Sequence, residues 1–189
     1  MLSNIELILL SLINEKPSYA YELEKQIESR NMRMWVKIGV ASVYQVLERL
    51  EKKGLLVSQR EKEGKMPPRK RYHITAPGRK ALAEGARRLL SGLEWYYLDL
   101  NVGLECSDLL SEAEIAACLQ KRLAKVRSNL KRLRELSRAE GNHAGGNNAN
   151  AKKFAKKKAI IKNLSLFREA EENFLQAALA TLANNGKQE

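Results

Sequence analysis

Ser42, Gln45, Arg49 and Lys52 recur at steps of three and four, which places four polar side chains along one face of a helix. Such side chains can read a nucleic-acid groove: Arg bonds two acceptors of guanine, Gln pairs with adenine, and Ser reaches a base or a phosphate. A merely solvated helix face has the same pattern, so the surroundings of the stripe decide between the two. Tyr44 falls at the edge of the opposite, apolar stripe, where it is either a half-buried core tyrosine or a phosphate contact. A second cluster sets Arg60, Lys62, Lys65, Arg69, Lys70 and Arg71 against Glu61 and Glu63, a net of +4. That excess suits a phosphate backbone or a minor groove.

Trp95, Tyr96 and Tyr97 form the richest aromatic spot. Aromatic residues at helical spacing serve a core or a dimer interface. They also suit the wall of a pocket for a flat ligand, which makes Trp95 and Tyr96 candidates for holding a small aromatic or phenolic effector. The run Lys152, Lys153, Lys156, Lys157, Lys158 and Lys162 reads as a solvated lysine face. Its cations oppose the dipole of the helix they begin, so the first turn or two should fray.

Catalytic and metal chemistry find little support. His73 and His143 are far apart, and neither a nucleophile elbow nor a phosphate-binding glycine loop occurs. We therefore expect no enzyme and no cofactor. Cys106 and Cys118 have no second pair and no neighbouring His, so a zinc site and a disulfide framework are both unsupported; buried free thiols are expected. The longest apolar stretch, Leu2 to Ile13, is too short to span a bilayer and has no basic residue before it. No membrane association and a cytoplasmic location follow.

The elements that must position the two clusters can be read from caps and periodicity. Ser3-Asn4-Ile5-Glu6 is a capping box opening a buried helix that ends at Lys16-Pro17. Ser18 then caps a second helix running to about Arg30. After a break at 31–39, a third helix over 40–53 buries Val40, Val43, Leu47 and Leu50, with Gly54 as its C-terminal stop. Residues 55–60 and 69–74 then take the period of strands and form a two-stranded hairpin, and Thr75 with Pro77 starts a fourth helix. Three helices followed by a hairpin describe a winged helix-turn-helix, whose third helix is the recognition helix.

Beyond residue 80 only helical spacing recurs. Leu82, Ala86, Leu89, Leu93, Tyr96 and Leu100 predict a long helix, bent near Ser91-Gly92. A second capping box at Ser111–Glu114 opens a helix with Leu119, Leu123, Val126, Leu130 and Leu133 on one stripe. A Gly/Asn connector at 141–151 leads to a last helix with Ile160, Leu164, Phe167, Phe174 and Ala178 on a stripe interrupted at Glu171. These two helices should form an antiparallel hairpin. The fold class is mainly α: a winged-helix DNA-binding domain at 1–80 and a helical dimerisation and effector domain at 81–189.

The whole chain has 189 residues and a net charge of +12, of which +7 falls before residue 81 and +5 after it. Net charge points to a polyanionic partner and says nothing of fold. The total is equally compatible with a basic helical protein that binds RNA or other nucleic acid without sequence choice, the alternative to a specific regulator.

Four stretches carry a family resemblance: Tyr19-Ala20-Tyr21-Glu22-Leu23, Ser42-Val43-Tyr44, the run Leu47 to Leu55, and Pro68-Arg69-Lys70-Arg71-Tyr72-His73-Ile74-Thr75. In order and spacing, over about the first 80 residues, they resemble the PadR family of transcriptional regulators, and the helical remainder resembles its long-tailed members. The resemblance implies a homodimer that binds a palindromic double-stranded DNA operator, and a repressor is the function expected. Carried over by position, Tyr21, Ser42 and Tyr44 would contact phosphate or groove, and Arg69, Lys70 and Arg71 would belong to the wing; Lys65 joins the DNA-binding set through the basic cluster alone. Ala20 stands where the family commonly has Gly. Gln45 also departs from its usual residues, so base preference cannot be borrowed.

Overall fold

The computed structural model describes residues 1–61, 69–141 and 148–185; the side chains of 40–42, 140, 141, 148–153 and 185 lie outside the described set. The chain divides into two compact units, Met1–Trp95 and Tyr96–Glu189.

In the first unit, α1 (Asn4–Glu15) begins at the expected capping box: Ser3 N–H donates to the Glu6 carboxylate at 2.8 Å and Glu6 N–H to the Ser3 hydroxyl at 3.4 Å. Strand β1 (Ser18–Tyr19) leads into α2 (Ala20–Ser29), and a single 3-10 turn at Met32–Met34 precedes α3 (Val40–Lys52). Strands β2 (Leu56–Glu61) and β3 (Arg69–Ile74) follow, and α4 (Ala76–Ser91) closes the unit. Leu9, Leu12, Leu23, Ile27, Leu47 and Leu50 form the centre of one core, so α1 and α2 hold the back of α3.

The expected two-stranded hairpin is a three-stranded sheet of order β1-β3-β2, in which Ser18 pairs with Tyr72 and Tyr19 with Arg71. Ser18 is therefore not a helix cap. It is in strand, its hydroxyl donates to Lys16 C=O at 2.9 Å, and Tyr19 takes the N-cap position with its N–H bonded to the Glu22 carboxylate at 2.9 Å. The physical reason is long-range: the free edge of β3 offers backbone partners that local capping rules do not anticipate.

Two glycines fix the wing against the helices. Gly54 has φ +69°, the left-handed conformation that ends α3 and turns the chain into β2. At Gly78 a Cβ would lie 2.1 Å from Leu55 O, so only glycine lets α4 approach the start of the wing. Thr75 caps α4 as expected, accepting from Gly78 N–H at 3.0 Å.

The long helix expected through Leu100 does not form. Helix α4 stops at Ser91, residues 92–98 are non-helical with Gly92 extended, and a short α5 spans Asp99–Glu105. Since α4 packs on α1, the first unit continues past residue 80 to Trp95. The expected stripe is divided at this break: Leu93 is exposed, while Leu100 packs on the core of the second unit.

In the second unit, α6 (Glu112–Gly141) and α7 (Asn148–Asn185) pack along each other. Ser111 and Glu114 form the second capping box. The early residues of α6, Ile115 and Leu119, share a core with the late residues of α7, Leu175, Leu179 and Leu182, as an antiparallel pair requires. The stripe on α7 differs from the expected one: Ile161 and Leu175 are buried, whereas Phe167 and Phe174 are about half-exposed. Glu171 does not interrupt that face. It receives Arg122 at 2.6 Å from α6, and Arg168 from its own helix. Most of the expected connector, 142–147, lies outside the described residues, and α7 is already helical at Asn148. Both cysteines are exposed rather than buried.

Candidate nucleic-acid interface

Helix α3 turns Val43, Val46, Leu47 and Leu50 into the core and presents Tyr44, Gln45, Glu48, Arg49 and Lys52 outward. Tyr44 is 50% exposed, so its ring is available at the surface. Ser42 lies in α3, but its side chain is outside the described residues. Glu48 puts an unforeseen negative charge on the outward face.

Arg49 does not stand free of the protein. Its closest approach is through Nε, 3.4 Å from a Glu6 carboxylate oxygen, and Lys53 Nζ lies 2.8 Å from the same oxygen. Glu6 is only 3% exposed. Burial alone would raise its carboxyl pKa, yet the Lys53 ammonium and the Ser3 N–H and hydroxyl together hold it below the ordinary value of 4.5. Helix α1 therefore grips the C-terminal end of α3 by charge as well as by packing.

The wing supplies the second group. Its tip, including Lys65, lies outside the described residues. On β3, Lys70 Nζ sits 3.0 Å from the Glu51 carboxylate of α3. That carboxyl is held below its ordinary value first by the Ser58 hydroxyl and then by Lys70. Arg71 stacks over the Tyr19 ring at 4.6 Å, donates from Nη2 to the Tyr19 hydroxyl at 3.0 Å, and places Nε 3.1 Å from Glu61. The Tyr19 hydroxyl in turn donates to Glu61 at 2.6 Å, a bond that raises its pKa.

Tyr21 stands on this base. Its ring is 37% exposed and stacks on Tyr19 with centroids 5.6 Å apart and planes 11° from parallel. The Arg69 guanidinium lies 5.3 Å from its centre and the Lys25 ammonium 5.5 Å. Three elements, α2, β1 and β3, thus bring two cations and a phenol together at one place on the surface. A phosphate oxygen could take bonds there from a guanidinium, an ammonium and a hydroxyl. Sequence reasoning missed Lys25, although it lies one helical turn after Tyr21 and so on the same face. It also missed the acidic partners Glu6, Glu51 and Glu61, which occupy some of the charge on Arg49, Lys70 and Arg71.

The aromatic candidates fall in different units. Trp95 is 81% exposed at the end of the first unit, while Tyr96 belongs to the second, its ring centroid 5.2 Å from that of Phe167. Neither lines the groove of about 730 Å³ formed within the second unit by α5, α6 and α7. That groove has Leu100, Leu104, Leu119 and Val126 along its walls, with Lys121 and Lys125 also lining it.

Three core helices, an exposed α3 and a strand pair beside it, carrying exposed and cationic side chains, define a winged helix-turn-helix protein. Residues 9–84 match the model of the Transcriptional regulator PadR-like family. An uncharacterized protein of Lysinibacillus sphaericus is 35% identical over 81 residues, which span 43% of this chain and 73% of that protein. The chain belongs to the PadR-like family and is a transcriptional regulator, not an enzyme. Its fold also extends over the solved structure of Bacillus subtilis PadR in complex with operator DNA, with TM-score 0.80 and 15% identity, covering 96% of this chain and 99% of that one. The Vibrio cholerae virulence activator AphA aligns with TM-score 0.70 and 16% identity, over 96% of this chain and 99% of that one. No helix among the described residues is long and apolar enough to cross a membrane.

Proposed function

We propose that the chain acts as a cytoplasmic homodimeric repressor that binds a palindromic operator, with α3 in the major groove and the wing along the backbone. The observation that carries this reading is the phenol with its two cations, Tyr21, Arg69 and Lys25, on the same unit as the exposed face of α3. Ser42, Gln45 and Arg49 are assigned to bases; Tyr21, Tyr44, Lys65, Arg69, Lys70 and Arg71 are assigned to phosphates. Glu6 contacts Arg49 through Nε, which orients the guanidinium before DNA arrives and leaves its terminal nitrogens as a donor pair. We assign the dimer interface to the second unit, where Val102, Leu110, Phe167 and Phe174 are exposed apolar side chains that a partner could cover. Two recognition helices would then read half-sites about one helical turn, roughly 34 Å, apart.

The test is binding to the promoter of its own gene in competition with random duplex. A specific regulator should prefer its site by about 10³ or more at physiological salt, and equal binding would favour the non-specific alternative. Arg49→Ala should cost about 1 to 3 kcal/mol on the specific site; unchanged affinity would remove Arg49 from the base-reading group.

Bacillus subtilis PadR has been solved in complex with p-coumaric acid, and the present chain offers a groove suited to a small amphipathic anion. We place such an effector between α5 and α6 rather than at Trp95 and Tyr96, because apolar walls and two lysines meet in that groove. Calorimetric titration with p-coumarate should give binding that Lys121→Ala weakens and Trp95→Phe does not; the reverse pattern would return the site to Trp95.

A further inference from the structure

The lysine run of α7 changes meaning once its neighbour is known. Because α7 folds back along α6, the run 152–162 belongs to the same half of the hairpin as Lys121 to Arg138. Residues 121–168 hold fifteen Lys and Arg against two Glu, a net of +13. The rest of the second unit, 96–120 and 169–189, holds nine acidic residues against one Lys, a net of −8. The modest +5 of the unit therefore conceals a strongly polarised hairpin.

Many of the exposed cations at the positive end have no salt bridge among the described residues. Arg122, Arg127 and Arg168 pair with Glu171 and Glu172. Lys121, Lys125, Lys131, Arg132, Arg134, Arg138, Lys156, Lys158 and Lys162 are exposed, and none has a salt bridge among the described residues. Lys121, Lys125 and Arg132 share one face of α6 and extend over about 16 Å at 1.5 Å per residue. Like charges at i, i+4, as at Lys158 and Lys162, repel, so this surface is destabilising to itself until an anion approaches.

The kind of anion follows from what else the surface lacks. Among the described residues no large apolar side chain between 121 and 165 is exposed; Leu166 and Phe167, at the edge of this region, and Phe174 beyond it are about half-exposed. A second copy would seek those apolar residues, and a membrane-surface helix needs an apolar face to insert. A charge-only surface fits a phosphate backbone, contacted without sequence choice.

We infer that the basic half of the α6–α7 hairpin is a second DNA-binding surface, which holds duplex outside the operator by its phosphates. The inference rests on the regulator reading above and adds a sequence-independent contact to it. That contact raises the time spent near DNA without altering which operator is chosen.

The experiment compares the full-length protein with a variant carrying Lys131→Gln, Arg132→Gln, Arg134→Gln, Arg138→Gln, Lys158→Gln and Lys162→Gln. Binding to random-sequence duplexes of about 20 and about 60 base pairs is followed by fluorescence anisotropy over a range of salt. Far-UV circular dichroism and thermal melting check that the helices persist. On the long duplex the variant should bind at least about ten-fold more weakly. Its salt slope should be shallower by at least about 2, since each lost phosphate contact removes about 0.9. On the short duplex the difference should be smaller. Equal slope and equal affinity on the long duplex would overturn the proposal, as would single-stranded RNA or anionic phosphatidylserine vesicles proving the tighter ligand of the parent. Preference for the promoter over random duplex is scored separately on the parent, so failure of the regulator reading is distinguishable from failure of this one.

Discussion

Replacing Glu6 by Gln should loosen the grip of α1 on α3. The carboxylate is 3% exposed and lies 2.8 Å from Lys53 Nζ and 3.4 Å from Arg49 Nε. Breaking a fully buried pair costs about 3–5 kcal/mol. Here the Lys53 and Arg49 side chains are 43% and 54% exposed, so water screens much of the attraction and about 1–2 kcal/mol is expected. The pH dependence has a definite sign. Glu6 titrates below its ordinary 4.5 in the folded chain, so its contribution is present above that value and is lost as pH falls through the folded value. Urea unfolding in a Trp95→Phe background, where half-buried Trp35 reports on the first unit, measures this directly. The gap between parent and Glu6→Gln should be about 1–2 kcal/mol at neutral pH and should close under acid conditions, where protonated Glu6 resembles Gln. A gap that stays constant into acid, or no gap at neutral pH, would refute the charge argument and leave Glu6 with only its capping bonds to Ser3.

Tyr21→Ala removes the ring that stacks on Tyr19 and faces Arg69 and Lys25; operator affinity should fall about ten-fold, with Tyr21→Phe separating ring from hydroxyl. Gly78→Ala would set a methyl against Leu55 C=O and should cost at least about 1–3 kcal/mol in urea unfolding of the first unit. Leu175→Ala empties a position that is wholly buried between α6 and α7; about 2–5 kcal/mol should be lost from the second unit, read by its circular dichroism melt.

Much of the DNA-binding unit was legible because its signals are local. Both capping boxes, the Gly54 stop and the Thr75 cap involve residues within one turn of each other, and the apolar stripe of α3 depends only on helical period. The errors came where a partner far along the chain decides the outcome. The spacing from Leu82 to Leu100 suits one helix, but α4 ends at Ser91 and Leu100 packs in the core of the other unit. On α7 the same ambiguity shifted the stripe, since Ile160 and Ile161 are both apolar and only packing on α6 selects the second.

By itself, the sequence determined the winged-helix order of elements, the outward stripe on α3 and the basic wing, since caps, period and residue type are properties of neighbouring positions. Tertiary structure alone decided that Ser18–Tyr19 would join the sheet and that Arg71 and Lys70 would meet Glu61 and Glu51. It also decided that two basic runs would share one half of a hairpin. Each of these joins residues from separate elements, and whether charges cancel or accumulate depends on distances that only packing sets.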